Sequence, residues 1–204
     1  MIAVVDYGLG NLHSVCKALE RVAGEEEVCL TEDPSVVDRA ERVVVPGVGA
    51  FGDTMQGLQR RGMVPALHRV LGSGRPFLGI CMGMQALFAA SEESPGVEGL
   101  GFFPGTLRRF PHAPGLKVPH MGWNALSFPG RVPLFEGLDE GTHVYFVHSY
   151  FADLSQPEIV AASSEHGLRF AAAVARPPVY GTQFHPEKSQ RVGLRILENF
   201  VSLR

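Results

Sequence analysis

The chain contains little cysteine, a single tryptophan and almost no net charge. Its 204 residues include three cysteines and carry a formal net charge of −3. Cys16, Cys29 and Cys81 form an odd set without a CxxC pair, which argues against a disulfide framework or a zinc site and suits a reducing cytoplasm. A slightly negative chain also lacks the general attraction to phosphate backbones that nucleic-acid binders need. We therefore predict a cytoplasmic protein with no metal site and no nucleic-acid partner.

Long apolar segments are missing as well. No uninterrupted apolar run approaches the roughly 18 residues needed to span a membrane. The opening residues, MIAVVDYG, have no basic region and reach an aspartate at Asp6, so they make a poor signal peptide and a good first strand. The length fits one domain of ordinary size. We predict a single domain over residues 1–204 that does not enter a membrane.

Apolar runs alternate with helical patterns through the first half of the chain. Residues 2–5, 42–45 and 77–80 are predicted strands, and residues 12–22, 51–58, 64–71 and 84–90 have the apolar spacing of helices. This alternation argues for a parallel sheet with helices on both faces. The runs AVV, VVV and FLGI lack polar alternation, as expected of strands buried on both sides.

From residue 102 onward the pattern changes to short runs separated by turns. They cover residues 106–110, 118–128, 144–151, 159–163, 170–175 and 179–184, and they predict a mixed or antiparallel extension of the sheet. Val192, Ile196 and Phe200 at helical spacing predict a helix over residues 189–203. The predicted fold class is α/β, a three-layer, doubly wound architecture with a largely parallel central sheet.

The segment PFLGICMGMQ, residues 76–85, predicts a nucleophile elbow. An apolar strand meets a cysteine, Cys81, and then turns into a helical pattern. Gly79 and Gly83 remove the side chains that would block such a close backbone approach, and a helix N-terminus favours thiolate over thiol. The alternative is a small buried cysteine in a tight turn.

A cysteine nucleophile needs a base, and the base needs a group that orients it. His185, Pro186 and Glu187 come directly after the predicted strand at residues 179–184. Because proline holds this segment extended, we expect His185 and Glu187 to point to the same side, where the carboxylate can fix the imidazole tautomer. An ordinary loop histidine is the alternative.

An oxyanion hole is the third requirement. The backbone N–H of Met82, directly after the nucleophile, is one predicted donor. Val48 and Gly49, in the PGVG loop at residues 46–49 that follows a buried strand, supply another. In a doubly wound sheet such loops gather at the carboxyl edge, where ligands bind. The alternative is a plain glycine turn.

Together, GICMGMQ, the PGVG turn and HPEK resemble the class I glutamine amidotransferases, whose Cys-His-Glu triad hydrolyses the side-chain amide of glutamine. The resemblance implies Cys81 as nucleophile, His185 as base and Glu187 as its orienting group, with no cofactor. PHMGWN at residues 119–124 is most similar to one branch, the glutaminase subunits of imidazole glycerol phosphate synthases. DYGLGNLHSV, PGVGAFGD, VYFVHSY and GTQFHPEKS extend the similarity along nearly the whole chain.

The resemblance also implies a glutamine site. Its predicted residues are Gly47, Gln85, Glu93, Ser149 and Tyr150. Gln85 and the backbone around Ser149 and Tyr150 would hydrogen-bond the substrate, and Glu93 would receive its α-ammonium group, because a zwitterion needs an anion and N–H donors. Without the resemblance, Gln85 and Glu93 would pass for ordinary residues on a helix surface.

Free ammonia is mostly protonated near neutral pH, so its release into bulk water is wasteful and a partner should cover the exit. The resemblance names that partner as the (β/α)₈ cyclase subunit of imidazole glycerol phosphate synthase, which forms a heterodimer with the glutaminase in histidine biosynthesis. The predicted contacts are Met121, Trp123, Asn124, Tyr145 and Lys188. A core position is the alternative for Trp123. The glycines that flank Val48 leave its peptide free to turn, so we expect an oxyanion donor that depends on the loaded partner.

Three other functions remain open from the sequence. An amidotransferase of another pathway, such as the anthranilate or pyridoxal phosphate branch, shares the elbow and HPE, although PHMGWN argues against it. A stress-response or peptidase-like protein could use the same elbow without glutamine, and a binding module could keep the fold without chemistry.

Two other motifs carry no prediction of a ligand. The dinucleotide-like Gly8-Leu9-Gly10 has His13 at the third glycine position, so no nucleotide is implied. His143 and His148 are an odd number of residues apart on a predicted strand, so they should face opposite sides and make a poor metal pair.

Overall fold

The strands of this fold are short segments, and three of them are buried along their whole length. A computed structural model describes residues 1–203, which form twelve strands and six α-helices. The strands are β1 (Ile2–Val5), β2 (Val28–Thr31), β3 (Arg42–Val45), β4 (Phe77–Ile80), β5 (Phe88–Ser91), β6 (Phe103–Arg109), β7 (His120–Ala125), β8 (His143–His148), β9 (Tyr150–Phe151), β10 (Val160–Glu165), β11 (Arg169–Arg176) and β12 (Val179–Thr182). The helices are α1 (Leu12–Val22), α2 (Pro34–Arg39), α3 (Phe51–Arg60), α4 (Met63–Leu71), α5 (Met82–Gln85) and α6 (Gln190–Val201).

Seven of these strands form the central sheet, in the order β10-β11-β12-β4-β3-β1-β2. The five strands from β12 to β2 are parallel, and β11 and β10 are antiparallel additions at one edge. Every residue of β1, β4 and β12 is buried, as expected of parallel strands covered on both faces. The predicted fold, a largely parallel sheet with a mixed extension, is confirmed.

Helices cover both faces of the sheet and complete three layers. Helix α1 packs against α6, while α4 contacts α2 and α3. The C-terminal helix runs from Gln190 to Val201, within the predicted range 189–203. It buries Ile196 and Phe200 as predicted, whereas Val192 is half-buried. None of the helices in residues 1–203 has the length and apolar character that crossing a membrane requires.

Two smaller sheets stand beside the central one. Strands β5, β6 and β9 form the first, and the antiparallel pair β7 and β8 forms the second. The predicted strand at residues 144–151 is divided into β8 and β9, and the one at 118–128 is reduced to β7. Along β7 and β8, cross-strand partners such as Trp123 and Tyr145 lie directly opposite each other.

The prediction of a helix over residues 84–90 is wrong beyond Gln85. Helix α5 ends at Gln85, and residues 88–91 form strand β5. Residues 81–88 are all buried, so this run has no solvent face and its apolar spacing does not report a helical period. Pairing with the parallel strand β6 selects the extended backbone instead.

The sequence pattern does not predict β2 or α2. Strand β2 is four residues long at the edge of the sheet, and only Thr31 in it is buried. Helix α2 has six residues and one buried side chain, Val37. Neither segment is long enough to carry a recognisable apolar period.

Candidate active site

The predicted nucleophile, base and oxyanion loop follow three neighbouring strands. In the central sheet, β4 lies between β3 and β12, and all three strands are parallel. Cys81 follows β4, His185 lies shortly after β12, and the loop at residues 46–49 follows β3. Because parallel strands end at one edge of the sheet, these distant segments converge there.

Cys81 has the strained backbone of a nucleophile elbow. Its φ of 53° and ψ of −103° lie outside the regions that non-glycine residues ordinarily occupy. The Cys81 N–H donates to the Thr182 carbonyl oxygen over 2.7 Å, and the Gln85 N–H donates to the Cys81 carbonyl oxygen over 3.0 Å. The predicted strand-to-helix turn is therefore present and is held from both sides.

The two glycines around Cys81 are required by close backbone packing. A Cβ on Gly83 would collide with the Val45 carbonyl oxygen in β3, and one on Gly79 would collide with the backbone of Gly83. Any side chain at either position would push the elbow away from β3 or from β4. These glycines thus have the steric role predicted from the sequence.

The side chains of His185 and Glu187 form a buried pair. His185 Nδ1 lies 2.8 Å from Glu187 Oε1, and each side chain is 2% exposed. His185 itself is extended, but Pro186–Lys188 form a 3₁₀ turn, so the expectation of an extended segment is wrong beyond His185. The turn, rather than strand alternation, brings the two side chains together.

The carboxylate decides which nitrogen of His185 can react. An ionised carboxylate only accepts hydrogen bonds, so Nδ1 carries the hydrogen and Nε2 is left for chemistry. Nε2 is buried and has no hydrogen-bond partner of regular geometry among residues 1–203. Burial disfavours the charged ring, but interactions with the Cys81 side chain and with Glu187 outweigh it and raise the pKa of His185 to about 10. The charged, imidazolium form of His185 is therefore favoured near neutral pH.

The thiol opens into a pocket of about 250 Å³. The pocket residues are Val48, Gly49, Cys81, Met82, Gln85, Glu93, Pro119, Val147, His148, Ser149, Tyr150 and His185. Cys81 is buried at its floor, and its sulfur lies 3.7 Å from Gln183 Nε2 and 3.9 Å from the Val147 carbonyl oxygen. Among residues 1–203 no group of three or more His, Cys, Asp or Glu side chains is arranged to hold a metal ion.

Gln85 lines this pocket and is 2% exposed, so it is not a helix-surface residue. Its amide nitrogen donates to the Tyr150 carbonyl oxygen over 3.2 Å and to Gln183 Oε1 over 3.0 Å. Its Oε1 atom is buried without a partner among the described residues. An acceptor is thus available for an N–H group of a bound molecule.

Glu93 lies in the turn after β5, not on a helix. Its Oε2 accepts a 2.7 Å hydrogen bond from the N–H of Phe51, so it caps the N-terminus of α3 from a distant segment. Glu93 also lines the pocket, and none of the other described residues that line it is acidic. Ser149, between β8 and β9, and Tyr150, the first residue of β9, also line the pocket.

The residues predicted to supply the oxyanion donors line the same pocket as Cys81. Met82 follows Cys81, while Val48 and Gly49 line the pocket from the loop after β3. Gly49 has a φ of 100°, a conformation that side chains rarely adopt. Gly47 does not line the pocket; a Cβ there would collide with the Tyr7 hydroxyl and approach Met82, so its missing side chain lets the loop pack closely on the elbow.

Four of the five predicted partner contacts form an exposed surface, which we call the β7–β8 patch: Met121, Trp123, Tyr145 and Lys188. Met121 is 62% exposed and Trp123 48% exposed, so a core position for the tryptophan is excluded. The Trp123 and Tyr145 rings are 6.0 Å apart, and Lys188 Nζ lies 5.9 Å from the Tyr145 ring centre. Asn124 instead turns inward and binds His120 and the Glu165 carbonyl oxygen.

Three buried polar residues near the pocket were not predicted to contribute to it: Gln183, His120 and His148. Their positions within the segments that carry the family resemblance could have identified them, since Gln183 lies in GTQFHPEKS and His120 in PHMGWN. The prediction that His143 and His148 face opposite sides is confirmed, because the first is exposed and the second buried.

The sequence matches a known protein family along nearly its whole length. The family model described as glutamine amidotransferase class-I matches residues 3–203. Curated relatives described as imidazole glycerol phosphate synthase subunit HisH are similar along the whole chain. The Syntrophotalea carbinolica protein is 51% identical over 205 residues, covering 98% of each chain. The Moorella thermoacetica protein is 50% identical over 202 residues, covering 99% of this chain and 94% of its own.

Solved structures share the fold at much lower identity. A crystal structure of a glutamine amidotransferase superposes with a TM-score of 0.76 at 19% identity, covering 100% of both chains. The structure of PurLQS from Thermotoga maritima gives a TM-score of 0.74 at 19% identity, covering 98% of this chain and 96% of that chain.

We predict that Gly83→Ala destabilises the protein by about 3 kcal/mol or more, because the new methyl group meets the Val45 carbonyl oxygen. Gly130→Ala is the matched control, since a Cβ there has no atom within 4 Å, and its effect should stay within about 1 kcal/mol. The free energy of unfolding in urea measures both. Equal stabilities of the two variants would contradict the packing described for the elbow.

We also predict that Glu187→Gln lowers the pKa of His185 by about one unit or more, because the variant removes a carboxylate that favours the charged ring. NMR titration of the His185 ring measures the change. Glu25→Gln, at an exposed position, is the control and should leave the titration unchanged. The same titration curve in Glu187→Gln and in the parent protein would disprove the electrostatic role of the pair.

Proposed function

The chain belongs to the class I glutamine amidotransferase family, and we propose that it is the glutaminase subunit of an imidazole glycerol phosphate synthase. It hydrolyses glutamine to glutamate and ammonia. The observation that carries this function is that Cys81 and His185 line one pocket and Glu187 is bound to His185, in a chain 51% and 50% identical to full-length relatives of that name. We assign the activity to one domain over residues 1–204, because the pocket draws on segments from Val48 to His185.

The first half of the reaction is attack by the Cys81 thiolate on the side-chain carbonyl carbon of glutamine. A tetrahedral intermediate forms, and its oxyanion accepts hydrogen bonds from the N–H groups of Met82 and the Val48–Gly49 loop. When the intermediate collapses, the C–N bond breaks and the His185 imidazolium transfers its Nε2 proton to the leaving nitrogen. Ammonia and a γ-glutamyl thioester are the products.

The second half returns the enzyme to its starting state. The now neutral His185 accepts a proton from water as the water oxygen attacks the thioester carbonyl. The C–S bond then breaks, glutamate leaves and the Cys81 thiolate is regenerated beside the charged imidazole. Glu187 holds the same tautomer throughout, because its Oε1 remains bound to Nδ1.

Substrate recognition follows from the charges of the pocket wall. Glu93 is the anion for the α-ammonium group of glutamine, and the unpartnered Oε1 of Gln85 accepts an N–H from the substrate. The backbone at Ser149 and Tyr150 supplies N–H donors for the α-carboxylate. Gly47 acts indirectly, by allowing the oxyanion loop to approach Met82.

The partner of this enzyme is the cyclase subunit that consumes the ammonia. We assign its docking surface to the β7–β8 patch and place the two chains in a heterodimer. Aromatic residues and methionine are enriched in interfaces, and this patch carries the exposed Trp123 and Met121. The backbone N–H of His185 donates to the backbone carbonyl oxygen of Tyr145, a patch residue, over 2.9 Å, so the patch and the proposed base are joined by a direct hydrogen bond. Asn124 contributes through its inward contacts rather than by facing the partner.

We place the enzyme in a reducing cytoplasm, because its three cysteines are free and the reaction requires Cys81 as a thiolate.

A glutaminase assay with and without the cyclase subunit and its ribotide substrate tests the function. We expect low turnover by the isolated chain and higher turnover in the loaded complex, because the Val48 peptide must turn to complete the oxyanion hole. Cys81→Ser should lower kcat in the complex by more than about 10³-fold, and Cys29→Ser, on the edge strand β2, should leave it unchanged. High turnover by the isolated chain would refute control by the partner, and an active Cys81→Ser would refute the nucleophile.

The heterodimer surface is tested by Trp123→Ala. We expect binding of the purified cyclase subunit to weaken by about 30-fold or more, since a buried interface tryptophan is a typical hot spot. Leu30→Ala is a matched control, because Leu30 on β2 is 47% exposed and Trp123 48%. Titration calorimetry gives both dissociation constants. Equal losses, or no loss in Trp123→Ala, would place the cyclase elsewhere.

A further inference from the structure

A chain of polar groups connects strand β7 to the sulfur of Cys81. It begins at Asn124, whose Nδ2 lies 3.1 Å from His120 Nε2. His120 Nδ1 is 3.0 Å from His148 Nε2, and His148 Nδ1 is 2.8 Å from the Tyr150 carbonyl oxygen. From that oxygen the chain continues through Gln85 and Gln183 to Cys81. Both histidines and both glutamines are buried.

The Tyr150 carbonyl oxygen sets the hydrogen positions of the two histidines. A carbonyl only accepts, so His148 Nδ1 carries a hydrogen. Burial lowers the pKa of His148 to about 3 and that of His120 to about 4, so both rings are neutral. His148 Nε2 is then an acceptor, His120 Nδ1 is its donor, and His120 Nε2 accepts from Asn124. Both rings therefore carry their hydrogen on Nδ1.

The same carbonyl sets the orientation of both glutamine amides. Gln85 must direct its nitrogen toward Tyr150, 3.2 Å away, and its second N–H reaches Gln183 Oε1 at 3.0 Å. Gln183 therefore has its oxygen toward Gln85 and its nitrogen toward Cys81, 3.7 Å from the sulfur. A reversed Gln183 amide would place its nitrogen against Gln85 Nε2, so that two donors face each other, and its oxygen against Cys81 Sγ, which leaves no donor for the thiolate.

We propose that Gln183 is a catalytic residue that stabilises the Cys81 thiolate through its amide N–H, and that Gln85, His148 and His120 are positioning residues that hold it in this orientation. The reaction concerned is the proposed glutamine hydrolysis, so the inference rests on that function. In this orientation both N–H groups of the Gln85 amide are bound within the protein, to Tyr150 and to Gln183. The Gln85 Oε1 atom has no partner among the described residues and remains available to the substrate.

The titratable groups around Cys81 come from several elements. The His185 imidazole after β12 and the Tyr7 hydroxyl after β1 interact with the Cys81 side chain. His148 on β8 lines the same pocket and interacts with His120, His166 and His185. Glu93 shares the pocket. All of them are unchanged in variants at position 183, so a shift in the ionisation of Cys81 reports on Gln183 itself.

The first test measures the histidine tautomers in the unmodified protein. Long-range ¹H–¹⁵N spectra at neutral pH distinguish a ring protonated on Nδ1 from one protonated on Nε2. We expect His120 and His148 both to be neutral with the hydrogen on Nδ1. An Nε2-protonated or charged ring at either position would break the chain of donors and overturn the proposal, and this test needs no variant.

The second test is the pH dependence of Cys81 alkylation by iodoacetamide, followed by mass spectrometry of the Cys81 peptide. Gln183→Met removes the donor without adding charge, and we expect the alkylation midpoint to rise by about one pH unit or more, a tenfold loss of thiolate at neutral pH. Gln183→Glu should raise it further, through the added charge. Gln156→Glu, whose side chain binds the Pro104 carbonyl oxygen, is the control and should leave the midpoint unchanged. An unchanged midpoint in Gln183→Met would overturn the proposal.

Failure of this inference is distinguishable from failure of the proposed function, because alkylation requires neither glutamine nor the cyclase. If the parent complex does not hydrolyse glutamine, the function is wrong whatever the alkylation midpoints are. If the parent complex hydrolyses glutamine, and Gln183→Met both raises the Cys81 alkylation midpoint and lowers kcat/KM by about 10- to 100-fold, then the proposed function and the role of Gln183 are both supported. A shift of activity without a shift of midpoint would assign Gln183 a structural role only.

Discussion

The active site depends on the close backbone packing of the Cys81 elbow between two neighbouring strands. The Cys81 N–H is bound to β12 through the Thr182 carbonyl, and Gly83 lies against the Val45 carbonyl in β3. Strands in a sheet are about 4.8 Å apart, so the sheet sets how far the nucleophile lies from the segments that follow β12 and β3. The strain at Cys81, of order 1–3 kcal/mol, is sustained because the surrounding strands are fully buried and cannot relax.

Histidines with opposite electrostatic environments lie close together in this site. His185 faces the Glu187 carboxylate and the thiol, which raise its pKa, whereas His148 faces a peptide carbonyl and another histidine, and burial lowers its pKa. One ring is suited to carry a proton and the other to stay neutral near physiological pH. The difference comes from neighbours rather than from exposure, since both rings are buried. Acid–base chemistry is thus confined to one of the two.

Successive side chains of β7 and β8 point to opposite faces of this strand pair, so that the pair has an exposed face and a buried face. Met121, Trp123 and Tyr145 belong to the exposed patch, while His120, Phe146 and His148 are buried on the other side. The same pair of strands therefore carries the docking surface that we propose for the cyclase and, through Val147 and His148 of β8, part of the pocket wall. Any displacement of this pair on binding would reach the Ser149–Tyr150 wall directly, because β8 ends at His148.

Much of the fold follows from the sequence alone. Runs that are apolar throughout, such as Ile2–Val5 and Phe77–Ile80, are typical of parallel strands covered on both faces. The glycines around Cys81 identify the nucleophile elbow. The segment after it is different, because residues 81–88 are buried on every side and no periodicity distinguishes helix from strand there. The pairing of β5 with β6, which joins segments apart in sequence, makes that choice.

Residue types and local order therefore determined which chemistry this chain carries: a cysteine raised at a glycine-flanked turn, and a histidine followed two residues later by a carboxylate. The tertiary structure decided which polar groups meet. It brought Gln183 to the sulfur, turned Asn124 inward and placed Gly47 behind the pocket rather than in its wall. Such contacts join positions as far apart in the chain as Cys81 and Gln183. Which groups form a hydrogen bond depends on their distance and direction in space, and local sequence patterns do not encode these.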